Sequence, residues 1–163
     1  MNILRICLWR YIHLNLDEYL IRNNVWHRFI QKAETIHTSD AAKATGVELR
    51  RVTKNLVSVT DDGRHVLLIV PGDRKVDLEK AAKILGVKHL RLVAFDQAEK
   101  ISGYPPGGTP SVGHKEKMRV LLDKTLLDYD TVYCGGGSRN RLLELKVQDI
   151  IRLNDATVGE ICL

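Results

Sequence analysis

"RVTKNLVSVTDDGRHVLLIV", residues 51–70, decides the class of fold. Two runs rich in β-branched and aliphatic residues, 51–60 and 64–70, flank Asp61, Asp62 and Gly63, and Asp-Gly between such runs is a strong hairpin signal. A hairpin is antiparallel, so the sheet that contains it is not purely parallel. Within the first run, strand alternation places Val52, Lys54, Leu56 and Ser58 on one face, and Thr53, Asn55, Val57 and Val59 on the other. Lys54 therefore shares a face with apolar neighbours. Either its stem lies over them with the ammonium in water, or the ammonium points into a pocket, where it can hold a phosphate or a carbonyl oxygen.

Working outward, residues 71–86 read as a turn followed by a helix carrying Val76, Leu78, Ala81, Ala82 and Leu85 on its apolar side and stopping at Gly86. A short strand at 90–93 and a helix at 95–102 follow. Upstream, 16–24 reads as a short helix stopped by asparagines and 25–31 as a half-buried strand. Residues 37–46 read as a helix with Thr38, Ser39 and Asp40 as candidate N-caps and Gly46 as its stop. Downstream, strands are expected at 118–123, 131–135 and 141–146, and a last short helix at 147–154. Helices and strands interleave without repeats or linkers. The expectation is one α/β domain.

The chain has 163 residues, long enough for a real core, with 44% hydrophobic and 28% charged residues. A net charge of +5 suggests an anionic partner such as nucleic acid. Cys7, Cys134 and Cys162 match no zinc spacing and no disulfide framework, so no metal and no cofactor is expected, and a reducing cytoplasm fits. The apolar opening is interrupted by Arg5, Arg10 and His13 and is too short to span a membrane. No GxGxxG, GxxxxGK[ST] or GxSxG pattern is present, so nucleotide fingerprints and a serine elbow are absent.

Two glycine-rich stretches remain. "GYPPGGTPSVGHK", residues 103–115, holds four glycines and three of the chain's four prolines; "GGGSRN" occupies 135–140. The first is either awkward connecting chain or a shaped cradle whose backbone N–H groups polarise a carbonyl or hold an anion. His37 and His114 stand beside a helix start and this loop, each either a hydrogen-bonded structural group or a functional one.

In order and spacing, "HTSDAA" at 37–42, "KNLV" at 54–57, "VDLEKAAKILG" at 76–86, "GYPPGGTPSVGHK", "GGGSRNRLLEL" at 135–145 and "DII" at 149–151 resemble the YbaK/EbsC family, relatives of the prolyl-tRNA synthetase editing domain. The resemblance spans roughly residues 17–155. It implies a curved mixed β-sheet flanked by helices, with residues 17–163 as the editing domain. Residues 1–16 would be an addition to the family core, or the product of a start codon upstream of the true one.

The implied activity is trans-editing: metal-independent hydrolysis of the ester joining a wrong amino acid (cysteine, alanine or another small one) to the terminal adenosine of tRNA. The implied partners are the acceptor end of aminoacyl-tRNA and an aminoacyl-tRNA synthetase that could deliver it, with no membrane. Lys54 would anchor the substrate, while Gly107 and Gly108 would offer N–H groups to the scissile carbonyl. His37, Thr38, Asn55, Tyr104, Thr109, Pro110, Ser111, Val112, Gly113, His114, Gly135 and Gly136 would line the substrate site. The chain departs from the family's GxxxP loop, since four residues after Gly107 stands Ser111 with Pro110 before it, and "CGGGSRN" stands where the prolyl branch often has a histidine. A module that grips a tRNA end or nucleotide without turnover is the alternative.

Overall fold

The computed structural model describes residues 15–163, and Cys7 together with nearly all of the expected 1–16 extension lies outside the described residues. The element order is α1 (Leu16–Arg22), β1 (His27–Gln31), α2 (Thr38–Thr45), a 3-10 turn (Leu49–Arg51), β2 (Thr53–Thr60), β3 (His65–Pro71), α3 (Leu78–Leu85), β4 (Leu90–Leu92) and α4 (Phe95–Ser102). Then follow β5 (Arg119–Asp123), a second 3-10 turn (Lys124–Asp128), β6 (Thr131–Gly135), β7 (Arg141–Lys146), α5 (Val147–Asn154) and β8 (Thr157–Gly159). Among the described residues this is a single α/β domain with a mixed sheet flanked by five helices.

The expected hairpin forms the centre. β2 and β3 pair antiparallel with Asn55 opposite Ile69 and Val59 opposite His65, and Gly63 closes the turn at a φ of +84°. The five-stranded sheet runs β4-β2-β3-β5-β8, antiparallel on the β4 side of β3 and parallel from β3 through β5 to β8. A second, antiparallel sheet runs β1-β7-β6, and a bridge from Val52 to Tyr133 ties the two together.

From Val66 to Pro71 β3 is apolar because both its faces are covered there. Leu67 and Ile69 face a core shared with Leu20 of α1, Ile101 of α4, Leu143 and Leu145 of β7 and Ile150 of α5. Val66, Leu68 and Val70 face the opposite side, under Ala81 and Ala82 of α3. Each such side chain, fully withdrawn from water, contributes ~1.5–3 kcal/mol. Leu16, at the expected boundary, is the buried first residue of α1 and belongs to the first of these cores.

Three details differ from the reading of the sequence. The cap of α2 is His37, not Thr38, Ser39 or Asp40, because the N–H groups of Asp40 and Ala41 both donate to the His37 carbonyl. Asp40 lies instead in the first turn, where its charge suits the helix dipole. β8 was not anticipated. Three residues carry too little periodicity to read, and its partner β5 lies more than thirty positions back. The buried Asp123 carboxylate explains the 3-10 turn, since one oxygen accepts from Thr125 N–H at 3.2 Å and the other from Ile161 N–H at 3.0 Å. Among the described residues no helix is long and apolar enough to cross a membrane.

Candidate functional site

The glycine-proline loop begins with a turn. Gly108 N–H donates to Pro105 O at 2.8 Å, with Pro106 second and Gly107 third at a φ of +84°, the arrangement of a type II turn. Glycine is required at the third position twice over. Its φ is left-handed, and a Cβ there would fall 2.6 Å from Thr35 O and 2.7 Å from Ile36 Cα. The second glycine-rich stretch packs onto this turn backbone to backbone. Gly137 N–H donates to Gly108 O at 2.8 Å, and a Cβ on Gly135 would sit 2.4 Å from the Gly108 carbonyl carbon. Arg139 Nε adds a bond to Pro106 O at 2.8 Å. The two stretches are thus one structure.

β2 anchors the loop from beside it. Asn55 Nδ2 donates to Thr109 O at 3.3 Å and to Thr53 Oγ1 at 3.2 Å, while Asn55 Oδ1 accepts from Ser111 Oγ at 2.7 Å. Beyond Thr109 the loop turns into the core. Ser111 and Val112 are fully buried, and Asn154 Nδ2 donates to Ser111 O at 2.8 Å. His114 donates from Nε2 to Pro110 O at 2.7 Å and meets the Tyr104 ring edge-on, and the Tyr104 hydroxyl donates to Gly113 O at 2.7 Å.

These contacts border a cavity of about 420 Å³. His37, Thr38, Lys54 and Asn55 line it from α2 and β2; Tyr104, Gly107, Thr109 and Gly135 line it from the two loops. Pro110, Ser111, Val112, Gly113, His114 and Gly136 do not. They are the framework behind the wall, because their polar groups are spent on holding the loop to β2, α5 and β7. Gly108 is a correction to the expected pair of amide donors. It is absent from the lining, and its N–H is committed to the Pro105 carbonyl. Among the described residues no acceptor bonds the N–H of Gly107 or of Thr109, and both residues face the cavity. The N-terminus of α2 adds the N–H groups of Thr38 and Ser39, which have no intrahelical acceptor. One wall thus presents several donors suited to a carbonyl oxygen or an anion.

Lys54 lies on the strand face opposite Thr53 and Asn55, as alternation requires. Its half-buried ammonium donates to Arg74 O in the turn after β3. Burial pushes its pKa below the ordinary lysine value, the Cys162 thiol and the Asp73 carboxylate oppose that shift, and Lys75 adds to it. The ammonium is therefore held against the turn after β3 rather than left in open water. Among the described residues no group of three His, Cys, Asp or Glu side chains could hold a metal ion.

Other lining residues escaped the sequence reading. Gly72 was taken only as part of a turn, yet a Cβ there would lie 2.6–2.7 Å from Val52 O, Leu49 O and Thr38 Cγ2, which is how β3's end is brought against α2. Ile36, Leu92 and Phe95 line the cavity while remaining exposed. Exposure of an apolar side chain leaves no local signal to read.

Comparison with known proteins gives three kinds of match. The family model described as the aminoacyl-tRNA editing domain matches residues 32–153. The protein named "Putative Cys-tRNA(Pro)/Cys-tRNA(Cys) deacylase EbsC" of Enterococcus faecalis is 27% identical over 135 residues, covering 83% of this chain and 82% of that protein. The proline–tRNA ligase of Cupriavidus necator is 28% identical over 113 residues, which cover 68% of this chain and only 19% of the ligase. A solved structure titled "Crystal structure of a putative trans-editing enzyme for prolyl tRNA synthetase" superposes with a TM-score of 0.75 at 30% identity, covering 84% of this chain and 87% of that one.

Proposed function

This chain belongs to the aminoacyl-tRNA editing domain family, and from that membership we propose that it acts in trans as a deacylase, hydrolysing the ester of a tRNA charged with a wrong small amino acid. One observation carries the reading. A single cavity gathers the strand lysine, the Gly107 amide and the N-terminus of α2. A volume of about 420 Å³ suits an aminoacyl-ribose, while folded RNA cannot enter. Only the acceptor end is therefore read here, and the tRNA body stays outside, where a synthetase can present it.

In this mechanism Gly107 N–H, with Thr109 N–H beside it, donates to the scissile carbonyl oxygen and stabilises the charge that develops on it. Lys54 leaves the Arg74 carbonyl to bind the substrate's phosphate or aminoacyl oxygen. Attack by water, or by the neighbouring ribose hydroxyl followed by water, breaks the ester bond. The ribose oxygen leaves with a proton, and the products are free amino acid and uncharged tRNA. No step passes through a metal ion.

The test is deacylation of a panel of mischarged tRNAs by wild type and Lys54→Ala side by side. Loss of one aminoacyl-tRNA with wild type, reduced about 100-fold or more in the variant at unchanged melting temperature, is the expected result. No turnover on any charged tRNA by folded protein would replace this reading with a tRNA-end binding module. Equal turnover by both proteins would remove Lys54 from the mechanism.

A further inference from the structure

Seven large apolar side chains are exposed among the described residues, and three of them, Ile36, Leu92 and Phe95, line the same cavity. Single exposed apolar residues are ordinary, whereas several gathered at one concave site mark a surface that meets something. Phe95 is 66% exposed, the most open of the three.

Their placement follows from the fold. Leu92 ends β4, opposite Ser58 of β2, and Val93 N–H donates to Val57 O, so this edge of the sheet forms one side of the mouth. α4 starts two residues later, and its spacing turns Phe95, Ala98 and Glu99 toward the cavity together. Across from them, Ile36 abuts the loop so closely that its Cα would lie 2.7 Å from a Cβ on Gly107. An apolar, aromatic lip therefore begins beside Gly107, whose amide the reading above assigns to the scissile carbonyl. None of these three residues has a polar group to offer the reaction.

We propose that Ile36, Leu92 and Phe95 form the seat of a nucleobase, the purine of the tRNA's terminal adenosine, with Phe95 as the stacking platform. The proposal rests on the aminoacyl-tRNA reading above and deepens it. The purine and the aminoacyl ester are borne by the same ribose, so an ester held at Gly107 keeps the base within one sugar ring of that ester, among the residues that line the same cavity. A flat, apolar face at that mouth is what a base needs, because every base has a π-face and stacking on an aromatic ring is insensitive to its hydrogen-bonding edge. The lip thereby divides the work. The donors of the inner wall hold the ester, and the outer lip holds the base that all charged tRNAs share.

The experiment measures binding, so it does not depend on turnover. An acceptor-stem RNA hairpin ending in CCA, labelled with fluorescein at its 5′ end, and the same RNA with an abasic 3′-terminal nucleotide are titrated by fluorescence anisotropy. Salt is held constant, since phosphate contacts vary with it. Wild type, Phe95→Ala, Phe95→Trp and Leu92→Ala are compared.

Wild type is expected to prefer the base-bearing end by about five-fold or more, the low end of what one stacked base contributes. Phe95→Ala loses that preference, Leu92→Ala weakens it, and Phe95→Trp keeps it. The proposal is overturned if wild type binds both RNAs alike, or if Phe95→Ala discriminates as well as wild type. It is equally overturned if Phe95→Ala abolishes self-association in sedimentation while leaving RNA discrimination intact, which would assign the lip to a second copy of the chain. Turnover of charged tRNA without base discrimination sinks the lip alone; base discrimination with no turnover on any charged tRNA sinks the deacylase reading alone.

Discussion

Replacing Gly107 by alanine tests the shape of the loop directly. The residue sits at a φ of +84°, where an L side chain costs ~1–2 kcal/mol. Its new Cβ would also lie 2.6 Å from Thr35 O and 2.7 Å from Ile36 Cα, well inside the 3.4 Å at which ordinary contact begins. Both neighbours are backbone, so neither can swing aside as a side chain would. Either the turn or the 35–36 segment must move by most of an ångström, at a further ~1–3 kcal/mol.

Alanine leaves the unfolded chain less conformational freedom than glycine, which offsets ~0.4–1 kcal/mol and leaves a net loss of roughly 2–4 kcal/mol. For a domain of this size the melting temperature should fall by about 5–12 °C. Gly63→Ala is the control. It has the same φ of +84° with nothing within 4 Å of the added Cβ, so only the backbone strain applies, and a fall of about 2–4 °C is expected. Circular dichroism melts of both variants separate clash from strain. Deacylation is measured alongside, because displacing the Gly107 amide by ~1 Å should cost about 100-fold in rate. If Gly107→Ala melts within about a degree of Gly63→Ala and turns over at the wild-type rate, the loop does not have the shape described.

Asn55→Ala removes the side chain that joins Thr109 O and Ser111 Oγ to β2, leaving Ser111 buried without that partner. A loss of ~1–3 kcal/mol by urea denaturation is expected, with weaker deacylation, and an unchanged midpoint would show that the loop holds itself. A second prediction concerns pH. Burial pushes the Cys134 thiol up to about 11 and, with Asp123 adding to the effect, the Cys162 thiol up to about 12. The folded state thus keeps protons that the unfolded chain gives up near 9, so this stabilisation is complete below pH ~9 and is lost as pH rises toward 11. The urea midpoint should fall between pH 8 and pH 10, and less steeply in Cys134→Ala; equal slopes would remove the thiol as the cause.

Local rules carried the secondary structure far. The hairpin was legible because Asp-Gly has few other uses between two β-rich runs, and α3 was legible from apolar spacing and a stop at Gly86. The candidate site was legible as a set of segments, since "KN", the glycine-proline loop and "GGG" are conspicuous in composition. How these residues divide their labour was not. Lys54 and Asn55 are adjacent in sequence, yet strand alternation sends one to the Arg74 carbonyl and the other to Thr109 and Ser111. Gly107 and Gly108 look equivalent in the sequence; one lines the cavity with an N–H that no acceptor takes among the described residues, while the other closes a turn with its own.

The sequence by itself determined what depends on near neighbours: the hairpin, the glycine stops of α2 and α3, and the absence of a serine elbow or nucleotide fingerprint. Tertiary structure decided what depends on partners far along the chain. Gly135 is pressed against Gly108, Gly72 against Thr38, and Ile36, Leu92 and Phe95 reach one cavity mouth from three separate segments. The physical reason is range. Propensity and periodicity act over a few residues, but the partner of a backbone N–H and the face a side chain leaves open are set by packing between segments tens of residues apart.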